Sequence, residues 1–504
     1  MNSLLANPHG LQGASKVGKL RALGLSSALA LIAMVVYVLL RQDSTHQYDI
    51  YWMLPRLRDG LTDYPRHPFA LPFAGWMIEA LDGFGSLHDR FKMANGICVG
   101  LAVGLMTHAA TILLGNLRMA AITGLTYAAL PVTVRFATLA ELHGLFLPFA
   151  AIAILQACRM ISAPRSARWW SAAVLGLLTA VAAGFHATGH LLVGFVGVWI
   201  ALEWWGDKQP TSKVLISSLL SVVAHLVGSI LIANWVLASG DTAPVDAQLG
   251  LFSYQPHTTD GMLDVLLAEL IWPLMPVSIL WPIALLRSPR LQAMVFALCL
   301  PAYLATCQVL LCVPNLGYTF HEAGAYLMPL AFLGVVLSVR MLPRRWLFLL
   351  PMFALVASGF ALTSPERESP DHSFGEVAAT FLEDGDQRLV VGGFAEYEGA
   401  FEVLIEKVAC DSARDRLLFM DLYLFEARLN PHVTAQDLAL YFHPQVAKMT
   451  SVMTEQAILR MREAGGLYAE CVDQVMPEVY EFKAVQVQGD DGSVMSGFEL
   501  RPRN

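Results

Sequence analysis

The sequence predicts a polytopic α-helical membrane protein with a small α/β domain at its C-terminal end. Apolar residues make up 56% of the 504 residues and charged residues only 15%, whereas soluble domains carry about 25% charged residues. Apolar runs long enough to cross a bilayer recur along residues 22–362. Residues 1–363 hold 21 Lys and Arg against 16 Asp and Glu, and residues 364–504 hold 12 against 25. The chain therefore combines an apolar, slightly basic body with an acidic, water-soluble one.

The composition also sets the domain boundaries. We expect a cytoplasmic N-terminus at 1–21 and a membrane domain at 22–362, whose first outer loop covers 41–91. A polar, Pro-containing linker at 363–375 leads to a soluble domain at 376–504. No small-residue cleavage site follows the first apolar run, which predicts a retained membrane helix rather than a signal peptide. The soluble part has no basic stripe, which excludes nucleic acid as an expected partner.

The membrane domain has about eleven predicted spans. They are 22–40, 92–114, 118–134, 141–158, 169–186, 188–205, 213–237, 262–286, 291–312, 324–340 and 345–362. Lys and Arg in the short loops place the N-terminus inside, and an odd number of spans then places the tail outside. The first outer loop departs from this charge rule with five arginines: Arg41, Arg56, Arg58, Arg66 and Arg90.

The tail shows the pattern of an α/β domain. "RLVVGGF", "YEGAFEVLIEKVA" and "DRLLFMDLYLF" predict a strand, a helix and a strand, which is a βαβ unit. An amphipathic pattern follows at 451–474, and the Asp-Gly in "VYEFKAVQVQGDDGSVMSGFEL" predicts a hairpin. The G-x-G-x-x-G spacing of nucleotide-binding loops is absent. Cys410 and Cys471 allow one disulfide if the tail faces an oxidising compartment, and the sequence leaves that pairing open.

Ionisable residues collect at the predicted outer ends of the helices. Such residues are costly near membrane depth and therefore suggest function. The five groups are Asp49 with the loop arginines; Arg135, Glu141 and His143; His186 and His190; His257 and Asp260; and His321, Glu322 and Tyr326. Solvated loop charges and interface aromatics such as Tyr48, Tyr51 and Trp52 are the competing interpretation. His186 and His190 would suit a metal if helical, but no acid lies between them and a metal is not favoured.

Short motifs resemble the GT-C glycosyltransferases, in particular the branch related to protein O-mannosyltransferases. Asp49 follows the first span and is succeeded by aromatics, a short amphipathic stretch and an "HP" before the next apolar run. "AELHGLFLPFAAIAIL" and "HEAGAYLMPLAFLG" resemble a middle segment and a late loop of that family. The resemblance matches Asp49 to the catalytic acid, His67 and Pro68 to the motif that closes the first loop, and Glu322 with Tyr326 to the late loop. Asp49 lacks the neighbouring acid of several members, which leaves the acceptor type and metal dependence open.

The resemblance implies an inverting transferase that moves a hexosyl or mannosyl group from a polyprenyl phosphate to an acceptor hydroxyl. Asp49 is the expected catalytic base, and the expected donor phosphate ligands are Arg56, Arg58, Arg66 and His67. The expected acceptor or sugar pocket consists of Tyr48, Trp52, Glu141, His143, His321, Glu322 and Tyr326. The acceptor is a protein, lipid or glycan at the outer face of a bacterial inner membrane. No cofactor is firmly implied. The alternatives are a transporter or flippase of a lipid-linked or anionic solute and a non-catalytic membrane assembly protein.

Overall fold

The computed structural model of the protein describes a defined set of residues. They are 16–41, 53–54, 56–58, 60, 67–162, 169–186, 188–206, 209–238, 271–280, 324–362, 377–378, 380–382, 388–392, 417–419, 434–441, 443–489, 492 and 494–503. The chain divides into two compact units. The first comprises 1–42, 62–85 and 89–364, and the second comprises 43–61, 86–88 and 365–504.

The described part of the first unit is helical. Its helices are α1 (Lys16–Leu39), α2 (Ala70–Ala80), α3 (Leu87–Leu114), α4 (Leu117–Ala128), α5 (Pro131–Thr138), α6 (Leu142–Ser162), α7 (Trp169–Phe185), α8 (Gly189–Gly206), α9 (Thr211–Ala238), α10 (Met328–Met341) and α11 (Leu349–Leu362). A single-turn 3₁₀ helix, Ala325–Leu327, precedes α10. One apolar core connects these helices and includes the fully buried Tyr127, Phe136 and Trp204.

The lengths of the helices fit a polytopic membrane protein. Among the described residues, four helices are long and apolar enough to cross a membrane, namely α1, α3, α6 and α9, and the bent pair α4–α5 makes a fifth. Shorter apolar helices cover Trp169–Phe185, Gly189–Trp205, Met328–Met341 and Leu349–Gly359. The predicted spans at 262–286 and 291–312 fall largely outside the described residues. The count of eleven and the orientation of the termini therefore stay predictions.

The third predicted span, 118–134, is wrong as a single helix. Helix α4 ends at Ala128, and α5 begins at Pro131 with an axis bent by 58°. Proline lacks an amide hydrogen and disfavours a helical conformation in the residue before it. Leu130 accordingly adopts an extended backbone, with φ −64° and ψ 140°. Hydropathy detects how apolar such a segment is and does not register the break.

Small residues allow α7 and α9 to pack closely. A Cβ atom on Gly176 would overlap the carbonyl oxygen of Ser221, and one on Gly228 would lie 2.7 Å from the Cβ of Ala180. The hydroxyl of Ser221 donates a hydrogen bond to the carbonyl oxygen of Ala172 across the interface, at 3.0 Å. Small and hydroxyl residues are characteristic of helix contacts in membranes, where close backbone approach replaces the hydrophobic effect as the driving force.

The second unit contains a five-stranded sheet in the order β2-β1-β3-β5-β4. The strands are β1 (Arg388–Gly392), β2 (Leu417–Phe419), β3 (Thr450–Thr454), β4 (Tyr480–Gln488) and β5 (Val494–Pro502). Strand β1 runs parallel to β2 and β3, whereas β5 is antiparallel to β3 and β4. Strands are thus present where the sequence predicts the βαβ strands and the hairpin. The helix predicted between β1 and β2 lies outside the described residues.

Short helices accompany this sheet: α12 (Ala435–Tyr441), α13 (His443–Val446), α14 (Glu455–Ala464), α15 (Gly466–Glu470) and α16 (Met476–Val479). A π-helical turn, Cys471–Val475, joins α15 to α16. The amphipathic pattern predicted at 451–474 begins as strand β3, and α14 starts only after Thr454. The Thr454 hydroxyl accepts a hydrogen bond from the Ala457 amide at 3.1 Å, which caps that helix.

The tail core encloses Cys471 as a free, buried thiol. Burial raises the pKa of this thiol to about 12, with a further contribution from Glu470. Cys410, the other cysteine of the tail, lies outside the described residues. A protonated, buried thiol is a poor nucleophile, which makes Cys471 a packing residue in this core.

Candidate functional site

The first loop docks on the end of α7. The amide of Phe69 donates a hydrogen bond to the carbonyl oxygen of Gly184 at 3.0 Å. A Cβ atom at Gly184 would lie 2.5 Å from the Phe69 ring, so the aromatic ring occupies the space that glycine leaves. The Phe69 ring also meets Phe185 edge-on, with centroids 5.8 Å apart. This docking places His67, two residues earlier, at the connection between α7 and α8.

Three histidine rings meet at this position. The rings of His67 and His186 are stacked, with centroids 4.7 Å apart and planes within 10°. The ring of His143, in the first turn of α6, lies 4.2 Å from that of His186. All three side chains are buried. The three imidazoles thus come from segments more than 40 residues apart in sequence, namely the first loop, the start of α6 and the α7–α8 connection.

His186 has a defined ionisation state. It lies in the connection between α7 and α8, outside both helices, and burial lowers its pKa to about 3. Its Nδ1 atom lies 2.9 Å from the Thr188 hydroxyl and accepts a hydrogen bond from the Thr188 amide at 3.3 Å. Because Nδ1 accepts, the neutral ring carries its proton on Nε2. The stack is therefore built around an uncharged imidazole.

Phenylalanine rings pack against the histidines. The Phe136 and His143 rings meet edge-on at 5.3 Å, and the Phe146 ring lies 5.8 Å from that of His186. Next to His186 in the chain, the ring of Phe185 stacks on that of Phe149, with centroids 3.7 Å apart. Phe73 of α2 packs edge-on against both of these rings, at 5.6 and 5.4 Å.

Glu141 is the acid of this neighbourhood. It lies in the short link between α5 and α6, two residues before His143, and is only 1% exposed. Its backbone carbonyl accepts a hydrogen bond from the side-chain amide of Asn95 at 2.7 Å. A buried carboxylate among apolar groups is costly unless it has polar partners, and such positions are frequent in functional sites.

His186 and His190 do not form the metal-binding pair that their spacing would allow. His186 joins the three-ring stack, whereas Nδ1 of His190 lies 2.9 Å from Nε2 of His225 on α9. The other ring nitrogen of His225 lies 3.0 Å from the hydroxyl of Thr179. Within the part of the chain that the structure describes, no group of three His, Cys, Asp or Glu side chains has the arrangement of a metal site.

The structure describes only some of the predicted site residues. It places His67, Glu141 and His143 in the first unit, with the rings of both histidines in contact with that of His186. Arg56 and Arg58 are helical, half-buried and assigned to the second unit. Only the backbone of Tyr326 is described, in the 3₁₀ turn before α10. Predicted residues outside the described part are Tyr48, Asp49, Trp52, Arg66, His321 and Glu322.

Sequence reasoning missed Asn95 and His225. Each is a polar residue inside an apolar helix, at 0% and 3% exposure respectively. That isolation was a usable signal, because polar side chains in apolar helices need a partner. Their partners are distant in the chain and could not be identified from spacing.

Together, the apolar helices and their arrangement are those of a polytopic α-helical membrane protein. The chain is similar in structure to ArnT from Cupriavidus metallidurans bound to undecaprenyl phosphate, with a TM-score of 0.52, 13% identity, and 96% of this chain and 98% of that chain covered. The same protein in the apo state matches with a TM-score of 0.52, 13% identity, and coverage of 94% and 97%. No protein-family model and no curated protein matches the sequence.

Proposed function

We propose that the protein is a glycosyltransferase of the bacterial inner membrane that moves a sugar from a polyprenyl phosphate to an acceptor hydroxyl. One observation carries the proposal. The chain has a GT-C-like fold, and 96% of it matches a protein whose structure contains bound undecaprenyl phosphate. The buried stack of His67, His143 and His186 supports it. This stack gathers the first loop and two helix ends at one place, as a site that binds a large donor requires.

The chemistry is a single displacement. The acceptor oxygen forms a bond to the anomeric carbon as the bond from that carbon to the phosphate oxygen breaks, and the polyprenyl phosphate leaves. Asp49 accepts the hydroxyl proton, and the configuration at the anomeric carbon inverts. No covalent intermediate is required.

Arginines of the first loop stabilise the leaving phosphate. Negative charge grows on that phosphate in the transition state, and arginine pairs well with it. Arg56 and Arg58 are both helical, and residues two apart do not share a helix face. At most one of this pair therefore contacts the phosphate, and Arg66 and His67 are the other ligands that the sequence predicts.

The acceptor or sugar pocket contains Glu141 and His143. A carboxylate is an acceptor for sugar hydroxyls, and a neutral imidazole both accepts and donates. The surrounding phenylalanines exclude water, which strengthens each of these hydrogen bonds. Tyr48, Trp52, His321, Glu322 and Tyr326 are the other residues that the sequence predicts for this pocket.

A transfer assay tests the proposal. Purified protein in lipid nanodiscs is incubated with a panel of radiolabelled polyprenyl-phosphate sugars and a mixture of protein, lipid and glycan acceptors. We expect transfer of label, or slow hydrolysis of one donor to free sugar. Movement of an intact donor across a liposome membrane, with neither transfer nor hydrolysis for any donor, would instead indicate a flippase.

Replacing Asp49 by Asn tests the catalytic base. The amide cannot accept the proton, so transfer should fall by at least about 10²-fold, while folding and membrane insertion persist. Asp63→Asn is a matched control in the same loop and should retain activity close to that of the original protein. Near-normal turnover by Asp49→Asn would refute this assignment.

A further inference from the structure

Asn95 joins α3 to the link that carries the buried acid. Its side-chain amide donates two hydrogen bonds of 2.7 Å, one to the carbonyl oxygen of Leu139 and one to that of Glu141. Both acceptors lie more than 40 residues away in the chain. Because Nδ2 serves two carbonyl oxygens, the orientation of the amide is fixed by its partners.

The side chain of Asn95 is tightly enclosed. It is 0% exposed, and a Cβ atom on Gly144 would lie 2.7 Å from both its Cγ and its Oδ1. The same Cβ would lie 2.9 Å from the carbonyl oxygen of Phe136. Gly144 is thus the space into which the Asn95 amide fits, between the end of α5 and the first turn of α6.

The segment held by Asn95 is the one that carries site residues. Leu139 terminates α5, Glu141 precedes α6, and His143 lies two residues further on. A residue in such a link has few regular backbone hydrogen bonds, so its side-chain direction depends on the contacts that fix its carbonyls. His143 in turn lies against His186, with ring centroids 4.2 Å apart.

We infer that Asn95 is a positioning residue: its two hydrogen bonds fix the backbone of 139–141 and thereby aim Glu141 and His143 into the site. The inference rests on the proposed function for its catalytic consequence. Its structural consequence, an ordered link, stands independently of any sugar transfer. Asn95 itself takes no part in the chemistry.

Hydrogen exchange without donor or acceptor tests the structural part. In nanodiscs, Asn95→Ala should accelerate amide exchange across 139–146 by about tenfold or more, because two hydrogen bonds that hold the link are lost. Thr107→Val is the matched control. Thr107 is equally buried on the same helix, and its hydroxyl donates to Val103 of that helix at 2.8 Å. Unchanged exchange in Asn95→Ala would overturn the inference.

Two further variants keep the test decisive if Asn95→Ala does not fold. Gly144→Ala should accelerate the same exchange, because its methyl group displaces the amide. Gly144→Ser should do the same, because its hydroxymethyl group occupies the same space. Unchanged exchange across 139–146 in folded Gly144→Ala and Gly144→Ser variants would contradict the inference.

A double-mutant cycle tests the catalytic part. Asn95→Ala should lower kcat/KM for the acceptor by about tenfold or more, and by a clearly smaller factor when Glu141 is already Gln, where only the effect through His143 remains. Fully additive losses would show that Asn95 does not act through Glu141. If the original protein transfers no sugar, the proposed function fails, while the exchange result still decides whether Asn95 holds the link.

Discussion

At the scale of single residues, the centre of the site is an uncharged histidine. The His186 ring contacts those of both His67 and His143, and the Thr188 amide donates to its Nδ1 atom. A charged ring in this position would face two other imidazoles with little water. Burial therefore keeps the pKa of His186 low, at about 3. A neutral ring packs well and still offers its Nε2 proton.

We expect this lowered pKa to make the protein acid-sensitive. The folded protein holds His186 neutral, whereas the unfolded chain protonates it near pH 6.5. The contribution to stability is complete above that pH and is lost as the pH falls toward 3. The apparent melting temperature should thus decline between pH 7 and pH 5.

His186→Phe should weaken that decline, because phenylalanine fills the stack and cannot be protonated. Phe146→Leu alters a neighbour of the stack without a titrating group and should retain the original pH dependence. Thermal unfolding in nanodiscs at a series of pH values measures both variants. Identical pH slopes in His186→Phe and the original protein would mean that His186 does not govern this region.

At the scale of helices and loops, glycine decides where the first loop attaches. Phe69 reaches the carbonyl oxygen of Gly184, and its ring fills the space beside that residue. A glycine also permits close packing between α7 and α9, where the backbone of Ser221 occupies the space beside Gly176. Each contact requires a position without a side chain, on a helix that is otherwise apolar.

Replacing Gly184 by Val should detach the first loop. The new side chain overlaps the Phe69 ring, so we expect His67 to leave its position beside His186 and the proposed phosphate site to lose a ligand. We expect KM for the donor to rise by about tenfold or more with the membrane helices still folded. Gly194→Val is the matched control, because a Cβ atom at Gly194 meets nothing within 4 Å. Steady-state kinetics measure both, and an unchanged KM in Gly184→Val would exclude a role for this docking.

At the scale of the whole molecule, the fold and its setting in a bilayer determine how a donor is held. The exposed faces of α1, α9 and α11 are apolar, with residues such as Leu31, Leu219 and Leu355 more than 60% exposed. Such faces contact lipid chains rather than water. The polyprenyl donor that we propose would therefore reach the protein through the membrane and leave its isoprenoid chain there.

The length of the isoprenoid chain should thus affect binding and not chemistry. A water-soluble donor with two isoprene units lacks most of the apolar surface of an undecaprenyl donor, and each buried CH₂ contributes about 0.8 kcal/mol. We expect its KM to be at least about 10²-fold higher with a similar kcat, since the chain is distant from the reacting carbon. Kinetics with both donors in nanodiscs measure this. A kcat that falls in parallel with chain length would argue against it.

The sequence by itself determined the class of the protein. Apolar run lengths, the low charge content and the acidic tail suffice for a polytopic membrane protein, because the bilayer imposes length and polarity on every span. Short motifs predicted a GT-C-like fold. The tertiary structure alone decided the contacts. Several of these contacts join segments far apart in the chain. The His67 ring stacks on that of His186, and His190 pairs with His225. Asn95 donates a hydrogen bond to the carbonyl oxygen of Glu141. No local pattern encodes them, because they depend on how closely particular helices approach.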